Sequence, residues 1–124
     1  MKQTNRKGFT LAELLIVVVI IAVLVAIAIP VFTTQLHNAR ASADMANVRA
    51  YYAELQMNYM ETNEISNIYA DEALLDTITY LDGSTTKLKE GKMFLRAFKN
   101  GQEGYFIAYS CNKGCANHDL LLDN

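Results

Sequence analysis

Apolar and polar positions divide this chain into three stretches with different periods. From Leu14 to Ile29 every residue is apolar, and between Phe9 and Phe32 only Thr10, Glu13 and Pro30 interrupt the run. As an α-helix, those 24 residues would extend roughly 36 Å, enough to cross about 30 Å of bilayer hydrocarbon. The rest of a 124-residue chain is too small to wrap a helix that is apolar on every side. A membrane-spanning segment is therefore expected.

Past Pro30 the pattern becomes amphipathic without any turn signal. Ala41, Met45, Val48, Tyr52, Leu55 and Tyr59 recur in steps of four and three, one face of a helix. Asp44, Arg49, Glu54 and Glu61 fall off that stripe and are expected to face water. One helix from about Phe9 to about Glu61 follows, lipid-embedded in its first half and packed on a domain in its second. Pro30 sits near the junction, where it removes the hydrogen bond to the Ala26 carbonyl and predicts a kink or a loosened turn.

Thr62 to Ile68 is polar and irregular. Asp71 to Leu81 reads as a short second helix, with Ala73, Leu74, Leu75, Ile78 and Leu81 supplying apolar contacts. After Asp82-Gly83 the period falls to two. Thr85–Lys89, Lys92–Phe98 and Tyr105–Ser110 read as strands, with turns at Glu90-Gly91 and at Asn100-Gly101, a strong tight-turn dipeptide. The chain closes on a Leu120-Leu121-Leu122 run. The expected fold class is α+β, a long N-terminal helix laid on a small antiparallel sheet.

Charge orients the membrane segment. Lys2, Arg6 and Lys7 precede it and no acid does, which keeps the N-terminus in the cytoplasm and places the C-terminal part outside. A secretory signal peptide has its small-residue cleavage site after the apolar core. Here the small residue at a boundary, Gly8, comes before it, so cleavage there removes the basic leader and keeps the helix. The formal charge of −2 becomes −5 on the side chains once residues 1–8 are gone. That acidic balance gives no footprint for nucleic acid. Cys111 and Cys115 face an oxidising setting, where a disulfide is the default expectation.

Lys7-Gly8, Phe9-Thr10-Leu11, Glu13 and the apolar run to Pro30 resemble the N-terminus of type IV prepilins and of the pseudopilins of type II secretion. The resemblance implies three parts: a leader at 1–8, a membrane and filament-core helix at 9–32, and an extracytoplasmic pilin domain at 33–124. It implies that a membrane prepilin peptidase cuts between Gly8 and Phe9 and methylates the new Phe9 amine. It further implies that an inner-membrane platform with its ATPase assembles the subunits into a helical filament on the cell surface.

The residues support that reading in their own right. Gly8 lets a protease approach the backbone closely. Glu13 is costly in a membrane helix, about 2.5–3.5 kcal/mol on insertion scales, although a carboxylate near a membrane end can also stay wet. Cleavage would place an ammonium on Phe9, one helical turn away, for pairing with its own Glu13 or with one on a neighbour. The family role is the second, a salt bridge that sets subunit register. Pro30 marks either the exit from the bilayer or the bend seen at the matching family position.

The Cys111–Cys115 loop is short, whereas many pilins bracket a long exposed loop with their cysteines. His118 could join both thiols on a metal, but a structural site wants four ligands and the sequence shows no second cluster, so no metal is expected. His37 has no partner implied by spacing. Asn117, Asp119 and Asp123 match no calcium loop. No nucleophile–base set, phosphate loop or paired-carboxylate pocket is legible, so neither enzyme activity nor a cofactor is expected. The leading expectation is a major-type pilin. A secretion or competence pseudopilin and a monomeric membrane-anchored binding domain are the alternatives.

Overall fold

A computed structural model describes residues 8–63, 74–97, 104–113 and 118–123. The basic leader, Asn100-Gly101, Cys115 and Asn117 lie outside them. The first element is α1, Leu11–Thr62, 52 residues long and assigned without a break through Pro30. Its end is written in Asn63, which takes the left-handed conformation (φ 52°) and donates its N–H to the Tyr59 carbonyl at 2.8 Å. Asparagine tolerates that backbone because its short polar side chain bonds locally.

Five strands follow: β1 Thr77–Thr79, β2 Thr85–Lys87, β3 Gly91–Ala97, β4 Tyr105–Cys111 and β5 Leu120–Asp123. β1 and β2 form a two-stranded sheet, and β3-β4-β5 a three-stranded antiparallel one. In the larger sheet Met93 pairs with Tyr109 and Leu95 with Ile107, while Ile107 and Tyr109 pair with Leu122 and Leu120. Period two then puts Met93, Leu95, Tyr105, Ile107, Tyr109 and Cys111 on one buried face. The α+β expectation holds, with one long helix followed by a small antiparallel sheet.

The expected helix over Asp71–Leu81 is corrected where it is described. Thr77-Ile78-Thr79 is a strand, paired antiparallel with Thr85–Lys87. β-Branched residues lose χ1 freedom in a helix and suit a pleated strand. The Asp82-Gly83 turn then brings the two strands together. Gly83 takes φ 85° and donates to the Tyr80 carbonyl at 3.0 Å, and Asp82 accepts the Ser84 N–H at 2.8 Å.

The chain divides after Leu36 into two units. Up to Leu36 every described residue is exposed. From His37 onward a core forms from Val48, Tyr51 and Leu55 of α1 with Ile78, Leu88 and the buried sheet face. Met45, Tyr52 and Tyr59, expected on the packed stripe, are partly buried and pack against this core. Asp44, expected to face water, is 1% exposed. Glu54 is half-buried and accepts the Leu81 N–H at 3.1 Å. The buried face is therefore Ala41, Asp44, Val48, Tyr51 and Leu55, one residue round from the expected stripe at alternate positions.

Candidate functional site

Two regions gather chemistry-bearing residues, one at the start of α1 and one in the unit from His37 onward. The charge pattern is expected to place that unit outside, and it is termed the outer unit. At the first, Thr10 and Glu13 close a reciprocal pair. The Thr10 N–H donates to Glu13 Oε2 at 2.8 Å, and the Glu13 N–H donates to Thr10 Oγ1 at 3.3 Å. This is a capping box, which satisfies two of the N–H groups a helix start leaves without partners. Threonine followed three residues later by glutamate signals it in the sequence. A reading that weighs Glu13 only as a charge in lipid passes over this spacing.

Phe9 is 86% exposed, and among the described residues nothing crowds Gly8. Past Glu13, Leu14 to Ile29 keeps its apolar side chains outward, with Ile20 54% and Leu24 62% exposed. The most apolar window of α1 has a mean hydropathy of 3.5, and none of it is buried within the protein. Length and composition suffice to cross a membrane. Just past Pro30, Thr33 and Thr34 donate their hydroxyls back to the Pro30 carbonyl at 3.0 and 3.1 Å.

In the outer unit, Asp44 fastens α1 to the bend before β3. Both its oxygens lie 2.9 Å from the Lys89 N–H, and Oδ2 also accepts from the Glu90 N–H at 2.7 Å. The Tyr109 hydroxyl donates to the same oxygen at 3.1 Å. Burial pushes the Tyr109 phenol well above its usual range, and the Asp44 charge adds to the shift. Gly91 makes the approach possible. A Cβ there would stand 2.5 Å from the Tyr109 ring and from the Ser110 carbonyl oxygen.

Beside this anchor, His37 Nδ1 lies 2.9 Å from Glu90 Oε2, and Arg40 reaches Glu90 Oε1 at 3.5 Å. The His37 hydrogen bond, more than the charges nearby, holds the Glu90 carboxyl below the usual carboxylate range. Cys111 Sγ lies 3.5 Å from His37 Nε2, and the His118 ring stands edge-on to the His37 ring at 5.7 Å. The structure thus gives His37 partners 53 and 74 residues away, beyond the reach of any local spacing. The expected Cys111–Cys115 bridge lies outside the described residues because Cys115 does. Asp119 accepts the Cys111 N–H at 3.3 Å.

Comparison with known proteins bears on the first region. Residues 3–29 match the family described as the prokaryotic N-terminal methylation motif. The chain carries a prepilin-type N-terminus. It is also similar to the type IV narrow pilus major component PilA5 of Thermus thermophilus, at 56% identity over 50 residues. That match takes in 38% of this chain and 43% of the relative, so the chain spans less than half the length of the relative it matches. No solved structure matches the chain. Gly8, Phe9 and Glu13 fall inside the matched prepilin-type segment, and Pro30 lies one residue beyond it.

Proposed function

We propose that this chain is a structural subunit of a type IV pilus-like filament, of the major type. In this reading it enters the membrane as a prepilin with its N-terminus in the cytoplasm. A prepilin peptidase cuts after Gly8 and methylates Phe9, and a platform with its ATPase packs the apolar helices into a polymer. The observation that carries the proposal is the uncovered apolar surface of α1 up to Leu36, with Glu13 at its head. Lipid can cover that surface before assembly and neighbouring helices afterwards. The role of the Thermus relative, a pilus major component, favours a pilin over a secretion pseudopilin. The role is architectural and needs no catalytic residue.

Glu13 has two duties in this scheme. One oxygen caps its own helix, and the other carries no hydrogen bond among the described residues. It remains available to the ammonium that cleavage would create on Phe9, in the same or a neighbouring subunit. Pairing removes an uncompensated charge as the subunit leaves lipid. Glu13→Ala is expected to insert and be cut normally but to be excluded from filaments when co-expressed with the parent. Filaments from the variant alone, as abundant and as shear-resistant as the parent's, would contradict the register role.

A further inference from the structure

We propose that His37, Cys111 and His118 form a metal site of the zinc class in the outer unit. One ligand atom from each of the three lies within 4.8 Å of the others. The group is sheltered, with Cys111 4% exposed and the His37 side chain 11% exposed. Zinc bonds of about 2.0–2.1 Å to nitrogen and about 2.3 Å to sulfur, at a tetrahedral angle, separate N from S by about 3.5 Å. The separation of His37 Nε2 and Cys111 Sγ is 3.5 Å. Two imidazoles and a thiolate suit zinc and its neighbours rather than calcium or magnesium.

Two further features point to a ligand. His118 Nδ1 is buried and has no hydrogen-bond partner among the described residues. Orphaned buried nitrogens are uncommon and mark places where an ion or water belongs. In the tautomer whose Nδ1–H donates to Glu90, the lone pair lies on Nε2, the atom that faces Cys111. A carboxylate behind a histidine in this way fixes the ring and raises its basicity as a ligand, the usual support of a metal-bound imidazole. Glu90 is itself held by Arg40 and, through its backbone N–H, by Asp44. It is a positioning residue here.

The metal would tie three distant parts of the chain: the helix at His37, the end of β4 at Cys111, and the approach to β5 at His118. A sheet of three short strands with a small core gains from such a staple. Three protein ligands leave a fourth position for water. On binding, the Cys111 thiol releases its proton to solvent and the thiolate donates to the metal, with no change of oxidation state.

The test is titration of the full chain, in detergent micelles under reducing conditions, with Co(II) and then with Zn(II) as competitor. The expected result is one ion per chain with a cobalt–thiolate charge-transfer band, displaced by Zn(II). Cys111→Ser should abolish the band and His118→Gln should weaken binding, with unchanged circular dichroism as the check on folding. Glu90→Gln should weaken affinity by about 10–100-fold, the range for loss of a partner behind a metal-bound histidine. Cys115→Ser should bind as the parent does. No uptake, or equal uptake by Cys111→Ser, would overturn the site. So would a Cys111–Cys115 disulfide in the chain taken unreduced from its native cells. None of these outcomes bears on filament assembly, which Glu13 and Phe9 test separately.

Discussion

Leu24 and Leu55 lie on the same helix, one 62% exposed and the other 5%. Around Leu24 the apolar positions cover every side of the helix, and the window they form is 0% buried. Around Leu55 they narrow to one stripe, and Ile78, Met93, Leu95 and Ile107 close over it. The unit from His37 onward closes a core of its own, whereas every described residue up to Leu36 stays exposed. Periodicity carries the difference: a stripe asks for a core, and an all-round apolar helix asks for surroundings that its own chain does not supply.

The sharpest way to break this contrast is to remove the same side chain from both places. Leu55→Ala is expected to lower the stability of the outer unit by about 2–4 kcal/mol, from lost transfer energy and a residual cavity. Leu24→Ala is expected to leave it within about 0.5 kcal/mol. Denaturant unfolding of the full chain in micelles, followed by tyrosine fluorescence, measures both. Similar losses would mean that the two units are not independent.

Next in size is Asp44, a polar residue doing the work of a core position. Asp44→Ala strands the Lys89 and Glu90 N–H groups and the Tyr109 hydroxyl, and is expected to cost about 3 kcal/mol. The same unfolding measurement checks it. A loss below about 1 kcal/mol would show that water replaces the carboxylate, and that the bend before β3 does not depend on it.

The smallest effect belongs to Tyr105, 1% exposed, whose hydroxyl has no partner among the described residues. Burial, with Tyr52, Tyr51 and Tyr59 around it, pushes its phenol from 10.0 up to about 12. The folded state therefore holds this proton more tightly than the unfolded chain does. Its contribution is fully present below about pH 10 and is lost as pH rises towards 12. Tyr105→Phe should flatten that part of the stability–pH profile. At neutral pH it should leave stability unchanged or raise it by up to about 1 kcal/mol, because it removes an unsatisfied polar group. A clear loss at neutral pH would show that the hydroxyl is bonded.

Much of this architecture is legible without coordinates, and the exceptions have physical reasons. The long helix, the strands over Thr85–Lys87, Gly91–Ala97 and Tyr105–Cys111, and the N-terminal motif follow from period, turn residues and the order of basic and apolar segments. Asp44 escapes a reading that weighs polar identity above spacing. It stands three residues after Ala41 and four before Val48, on the buried stripe, and its donors come from a bend 45 residues on. The apolar spacing around Ile78 fits a short helix, yet the β-branched threonines beside it and the Asp82-Gly83 turn favour a hairpin. The neighbours of His37 are set by how the sheet folds back onto α1, which no local pattern encodes.

The exposed apolar helix is proposed to belong to a processed subunit rather than to a plain anchor. Intact mass and N-terminal sequencing of this chain, from filaments sheared off its native cells, test it most directly. The expected result is a chain that begins at methylated Phe9 and is recovered in high-molecular-weight filaments. A chain that still begins at Met1 and remains with the membrane would contradict it.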